Sequence, residues 1–167
     1  MKRKAKLIVG SAALAIAAAT GFAFTQRAAA PKVEFVALSG RNFDTSDLRG
    51  KVVLVNFWAT SCASCVQEMP MLIRTQEQFG PRGYVTVAVA MSYDNPNDVA
   101  AFALKNDLPF RVAFDNSGRI AERFGNVTAT PTSFLLDRHG RILKRYLGEP
   151  DPRAFHALLD KALRAPA

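Results

Sequence analysis

The residue types that build most metal centres are scarce in this chain. Among 167 residues there are two cysteines, Cys62 and Cys65, and two histidines, His139 and His156. Structural zinc takes about four ligands, and neither histidine stands at ligand spacing from the cysteines, so no metal site is expected. Val66 follows Cys65 where a haem-attachment motif would carry histidine. The N-terminus lacks the twin arginine that marks export of a folded chain. Beyond the N-terminal segment, no apolar run is long enough to cross a bilayer. Basic runs interleaved with aromatics are missing too. The net charge is +8, yet five of the 22 basic residues fall within residues 1–30, which hold no acid. The rest sets 17 basic residues against 14 acidic ones. That is an ordinary solvated surface, and nucleic acid is not an expected partner.

What is present begins with a leader. Lys2, Arg3, Lys4 and Lys6 precede an uncharged, Ala-rich stretch from Leu7 to Phe24. As a helix those residues would reach about 27 Å, just enough for the hydrocarbon layer. Residues 1–30 therefore read as a signal peptide or a signal anchor in contact with the membrane, and residues 31–167 as one folded domain. In both cases the basic end stays in the cytoplasm. The domain is then periplasmic or otherwise extracytoplasmic, soluble after cleavage or anchored by residues 7–24.

The domain is organised around Val52-Val-Leu-Val-Asn-Phe-Trp58 and the Cys62-Ala-Ser-Cys65 that follows. The unbroken apolar run predicts a strand covered on both faces. Cys65, Val66, Met69, Leu72, Ile73 and Phe79 then fall largely on one helical face, predicting a helix from about Cys62 to Phe79 with Pro70 inside it. Val33–Leu38 and Arg41–Asp44 predict a hairpin around Ser39-Gly40. Tyr84–Ala90 and Arg111–Phe114 read as strands. Asn95 with Pro96, and Asp151 with Pro152, read as helix starts. Ile120–Phe124 is a short helix closed by Gly125. Thr132–Asp137 and Arg141–Leu147 form a second hairpin. This order predicts an α/β domain, a mixed sheet with helices on both sides.

Two cysteines in an exported protein usually suggest a structural bridge. Here the loop they close is so small that it stabilises the fold little. At a helix N-terminus, free N–H groups and the dipole favour an anion, so a Cys62 thiolate there is a good nucleophile at neutral pH. Cys65, three residues on, is close enough to attack a mixed disulfide at Cys62. The pair reads as a redox dithiol.

The strand and CxxC, Pro70, and Ala129-Thr-Pro-Thr-Ser-Phe-Leu-Leu-Asp-Arg-His-Gly-Arg-Ile142 together resemble the thioredoxin superfamily. Leu48-Arg-Gly-Lys51, Asn56-Phe-Trp-Ala-Thr60 and Glu68-Met-Pro70 are similar to its exported TlpA/ResA-like branch, over residues 33–165. The resemblance implies a thioredoxin-like fold, with a central mixed sheet flanked by helices on both faces and an N-terminal β-hairpin extension. It also implies a cis Pro131 lying against the CxxC, although the residues alone also allow a trans proline opening an edge strand. Cys62 and Cys65 would be catalytic, with Thr130, Pro131 and Trp58 meeting the substrate. No cofactor is implied beyond the Cys62–Cys65 disulfide.

Three departures bear on mechanism. Asn56 stands where thioredoxin has a buried aspartate, and Asn56 cannot take a proton. Tyr93, with Asp94 beside it, stands where the branch has a glutamate. Glu68 and Asp94 are the candidate proton acceptors for Cys65, and each also reads as a solvated surface acid. Ser61 replaces the aromatic that the family often carries before the first cysteine. The Ala63-Ser64 dipeptide has no histidine to make a strong oxidant, which favours a reductant.

The expected function is an exported thiol–disulfide oxidoreductase. It would reduce disulfides in proteins, in cytochrome c maturation or metal-site assembly, with electrons from a membrane-embedded dithiol donor. A Cu(I)-binding thiol chaperone of the same fold is the alternative, since soft thiolates suit Cu(I). A peroxidase of this fold would want Thr three residues before its reactive cysteine, where Ala59 stands.

Overall fold

The computed structural model describes residues 28–166. The leader reading of residues 7–24 therefore lies outside the described residues. Twelve elements follow in the expected order. Strands β1 (Glu34–Val36) and β2 (Asn42–Asp44) form the N-terminal hairpin, with Gly40 in its turn at φ +78°. Strand β3 is Val52–Trp58, followed by helix α1 (Ala63–Phe79) and a 3-10 turn over Gly80–Arg82. Then come β4 (Tyr84–Ala90), α2 (Pro96–Lys105), β5 (Arg111–Phe114), α3 (Arg119–Arg123), β6 (Thr132–Leu136), β7 (Ile142–Leu147) and α4 (Pro152–Arg164). One continuous helix runs through Pro70.

Five strands form one sheet in the order β5-β4-β3-β6-β7. β3, β4 and β5 are parallel, while β6 and β7 run antiparallel. β3 lies in the middle and every residue of it is buried, which is why its sequence is apolar without alternation. Its side chains still alternate in direction. Val52, Leu54 and Trp58 join the core beneath α1, α2 and α4. Val53, Val55 and Phe57 face the other core, beneath α3 and the hairpin, with Phe35, Leu48 and Phe124.

Capping matches the sequence. Asn95 Oδ1 accepts from Asn97 N–H at 2.9 Å and Asp151 Oδ1 from Ala154 N–H at 2.8 Å, with proline at the first helical position in both cases. The buried Asp115 carboxylate accepts from Ile120 and Ala121 N–H and so fixes the short α3. Both sheet edges are partly covered by the chain before β3. Leu38 N–H donates to Val112 O along β5. Ala30 N–H donates to Gly140 O, and Ile142 N–H to Ala28 O, along β7. The covered stretches are closed to pairing with another chain.

Candidate active site

The site forms where β3 ends. Cys62 is the N-cap of α1, in an extended conformation, and its sulfur accepts from Cys65 N–H at 3.2 Å. The cap is thus the sulfur itself, a place that favours negative charge. Cys62 and Cys65 are joined as a disulfide with their Cα atoms 5.2 Å apart. Cys62 is half-buried and Cys65 fully buried. The chain thereby distinguishes one sulfur that can meet another molecule from one that cannot. Ser64 Oγ lies 3.4 Å from Cys62 Sγ, near enough for its hydroxyl to donate to a thiolate.

The loop before β6 supplies the facing wall. Thr130 O stands 3.6 Å from Cys62 Sγ, a contact in the disulfide and a hydrogen-bond acceptor once Cys62 carries a proton. The Thr130–Pro131 peptide bond is cis, as the resemblance implied. Gly148 N–H donates to Pro131 O at 2.8 Å, which ties the loop to the end of β7. Tyr93, exposed on the β4–α2 loop, places its hydroxyl 3.3 Å from Thr130 Oγ1.

A buried polar cluster in the apolar core joins β3 and β6 to the Cys65 face of α1. Asn56 follows Val52 and Leu54 on the α1 face of β3 and is fully buried. Its Nδ2 donates to Ser133 Oγ at 2.9 Å and to Glu68 Oε2 at 3.4 Å. Ser133 is Asn56's register partner across β3 and β6. Glu68 is 1% exposed. Its Oε1, like Asn56 Oδ1, has no hydrogen-bond partner among the described residues. Burial first, and then the charge of Glu149, push the Glu68 carboxyl up to about 7, against a lowering from the Asn56 hydrogen bond. A carboxyl poised there takes up or releases a proton at neutral pH.

Three site expectations change. Glu68 is not a solvated surface acid: it shares the buried stripe Cys65, Met69, Leu72, Thr75 and Phe79 of α1. Its spacing of three from Cys65 held that information, but its residue type argued for the surface. Asp94 is occupied elsewhere. Its two carboxylate oxygens accept from Thr60 N–H at 2.6 Å and from Thr60 Oγ1 at 2.7 Å, bracing the loop that leads into Cys62. Trp58 offers substrate no surface. It is fully buried, its ring 5.2 Å from that of Phe102, because the even-numbered positions of β3 point under the helices. Ser64 and Ser133 lie outside the expected site residues, and Tyr93 entered only as the residue in place of the branch's glutamate. Only the β6 register, two residues past Pro131, pointed to Ser133.

The histidines lie away from the dithiol. His139 is in the turn at the end of β6 remote from Pro131, and His156 Nε2 is 2.9 Å from Thr75 Oγ1 between α4 and α1. A cavity of about 690 Å³, lined by Lys32, Phe43, Asp44 and Arg119 among others, opens between the hairpin and α3. The cysteines are not in its wall.

This fold and dithiol are those of the thioredoxin superfamily's thiol–disulfide oxidoreductases, and the chain is an oxidoreductase of that class. Within it, the chain belongs to the Redoxin family, which it matches over residues 25–162, and is ResA-like. It is 32% identical to the thiol-disulfide oxidoreductase ResA of Bacillus thuringiensis subsp. konkukian over 134 residues, 79% of this chain and 75% of the relative. It is 34% identical to the thioredoxin-like protein YneN of Bacillus subtilis over 132 residues, 78% of this chain and 76% of the relative. A solution structure of a Neisseria meningitidis protein assigned as a thioredoxin superposes with a TM-score of 0.76 at 36% identity, covering 82% of this chain and 91% of that one.

Proposed function

We propose that this oxidoreductase works outside the cytoplasm as a reductant of protein disulfides. The carrying observation is the asymmetry of the pair: Cys62 at the helix cap beside Thr130, and Cys65 buried on the same face of α1 as Glu68. In the reduced protein the Cys62 thiolate attacks one sulfur of a substrate disulfide. That bond breaks, the other substrate sulfur leaves as a thiolate, and a mixed disulfide forms at Cys62. Cys65 gives its proton to the Glu68 carboxylate and attacks Cys62 Sγ. The second substrate thiolate leaves, and the Cys62–Cys65 disulfide remains. Two electrons have passed to the substrate. Glu68 returns its proton to solvent or to the departing sulfur.

Thr130 and Pro131 form the platform on which the substrate chain lies extended. Thr130 N–H has no partner among the described residues and is open to a substrate carbonyl. The leader from Lys2 to Phe24 supports placement outside the cytoplasm. There the pair needs electrons from a membrane-embedded dithiol donor, because the compartment is oxidising. Apocytochromes and copper-site proteins, whose cysteines must be reduced before loading, are the substrate classes this reading favours. The disulfide itself is the only redox group it requires.

Cys65→Ser tests the reading. The variant should accumulate mixed disulfides at Cys62, while the wild type reduces insulin disulfides. Absence of both would overturn the reading. The reduction potential of the pair decides direction: a value near −120 mV, that of a dedicated oxidant, would reverse the assignment as reductant. Cu(I) titration of the reduced protein, followed by thiol protection against alkylation, separates this role from metal carriage.

A further inference from the structure

We infer that Tyr93 is a substrate-contacting residue: its ring forms the side wall of the groove along Thr130 and receives an apolar or aromatic side chain next to the substrate's disulfide. The inference rests on the reading of Thr130 as the platform for an extended chain. Tyr93 is 61% exposed. A single exposed aromatic needs no reason in itself. This one is held in place from two directions. Its hydroxyl lies 3.3 Å from Thr130 Oγ1, and the next residue, Asp94, is fastened through both carboxylate oxygens to Thr60. The ring thus stands beside the residue whose carbonyl is 3.6 Å from Cys62 Sγ. A rigid aromatic offers contact area at small entropic cost.

Two further exposed apolar residues stand near the site in the chain. Val66, directly after Cys65, is 36% exposed. Leu147 is 73% exposed and precedes Gly148, which holds Pro131 O. Ser61, before Cys62, offers no ring of its own. An extended chain advances about 3.3 Å per residue with alternating side chains. When its backbone pairs with Thr130 and its cysteine meets Cys62, side chains close to that cysteine come within reach of the Thr130 side chain and the ring beyond it. The occupant is thus an extended polypeptide segment with an apolar residue adjoining its cysteine.

The test compares two oxidants of the reduced full-length chain: oxidised insulin, a polypeptide disulfide, and hydroxyethyl disulfide, which has no chain to lie in the groove. Tyr93→Ala should slow the second-order reaction with insulin five- to tenfold and leave the hydroxyethyl disulfide reaction within twofold. Tyr93→Phe keeps the ring and should stay within threefold of wild type on both. Equal slowing on both substrates would make Tyr93 a support of the Cys62 loop and overturn the inference. So would an alanine variant with unchanged insulin rates. If the wild type reduces neither substrate, the platform reading fails. If it reduces both and only the variant pattern is wrong, the inference about Tyr93 fails alone.

Discussion

At the scale of single residues, the proton and the nucleophile are managed separately. Glu68 has its carboxyl raised from 4.5 to about 7 by burial. A raised acid favours the folded state while protonated, so its contribution is complete below about pH 4.5 and is lost as pH climbs through about 7. A rise of that size corresponds to about 3 kcal/mol. Glu68→Gln should remove this slope: the oxidised variant matches wild type in urea unfolding at acid pH and exceeds it above neutrality. The same variant should resolve mixed disulfides at least tenfold more slowly, seen as accumulated Cys62 adduct in rapid quench. Ser64 acts on the other sulfur. Loss of its hydroxyl in Ser64→Ala should slow alkylation of Cys62 near neutral pH about threefold and leave it unchanged at high pH, where every thiol is ionised. Glu68 and Ser64 were differently legible. The acid could be counted onto the Cys65 face of a helix from sequence. Ser64 sits between the cysteines, yet its use depends on a rotamer no sequence displays.

At the scale of elements, the chemistry depends on loops held by strands and helix starts. Asp94 ties the loop after β4 to the loop after β3. Asp94→Ala leaves the Thr60 N–H without its charged acceptor, at a cost of about 1–3 kcal/mol. The amides of Thr60 and Ser61 should then exchange with solvent at least tenfold faster, while those of β3 stay protected; unchanged exchange would sink the clamp. The strands, the long helices and their caps were readable because apolar runs, Asn-Pro and Asp-Pro starts and Gly ends are local signals. The Thr130–Pro131 loop was readable only through family resemblance. It meets Cys62 across 68 residues of chain, and no periodicity reaches that far. Trp58 was misplaced for a related reason. The resemblance implied a substrate contact for it, whereas the alternation of β3 turns it inward.

At the scale of the whole molecule, the sheet divides a working end from a supporting end. The hairpin β1–β2 belongs to the support. Phe35 is fully buried, stacks on Phe43 with ring centroids 5.0 Å apart, and fills the core beneath α3. Phe35→Ala should cost about 3–5 kcal/mol and lower the unfolding midpoint, while the Cys62–Cys65 reduction potential stays put; a shifted potential would mean that the hairpin reaches the dithiol. The early part of the domain has a second attachment, at Ala28–Ala30 along the start of β7. That start adjoins Leu136 and Val53, the end of the sheet opposite Phe57 and Thr132. The five residues of β6 separate the two ends by about 17 Å. A chain tethered through residues 7–24 would stand on one pole and carry its sulfurs at the other, like a lamp on a short stem. If the proposed anchor and lipid donor hold, clients reach the sulfurs from the aqueous side, and the donor meets them only when the domain turns over on its tether.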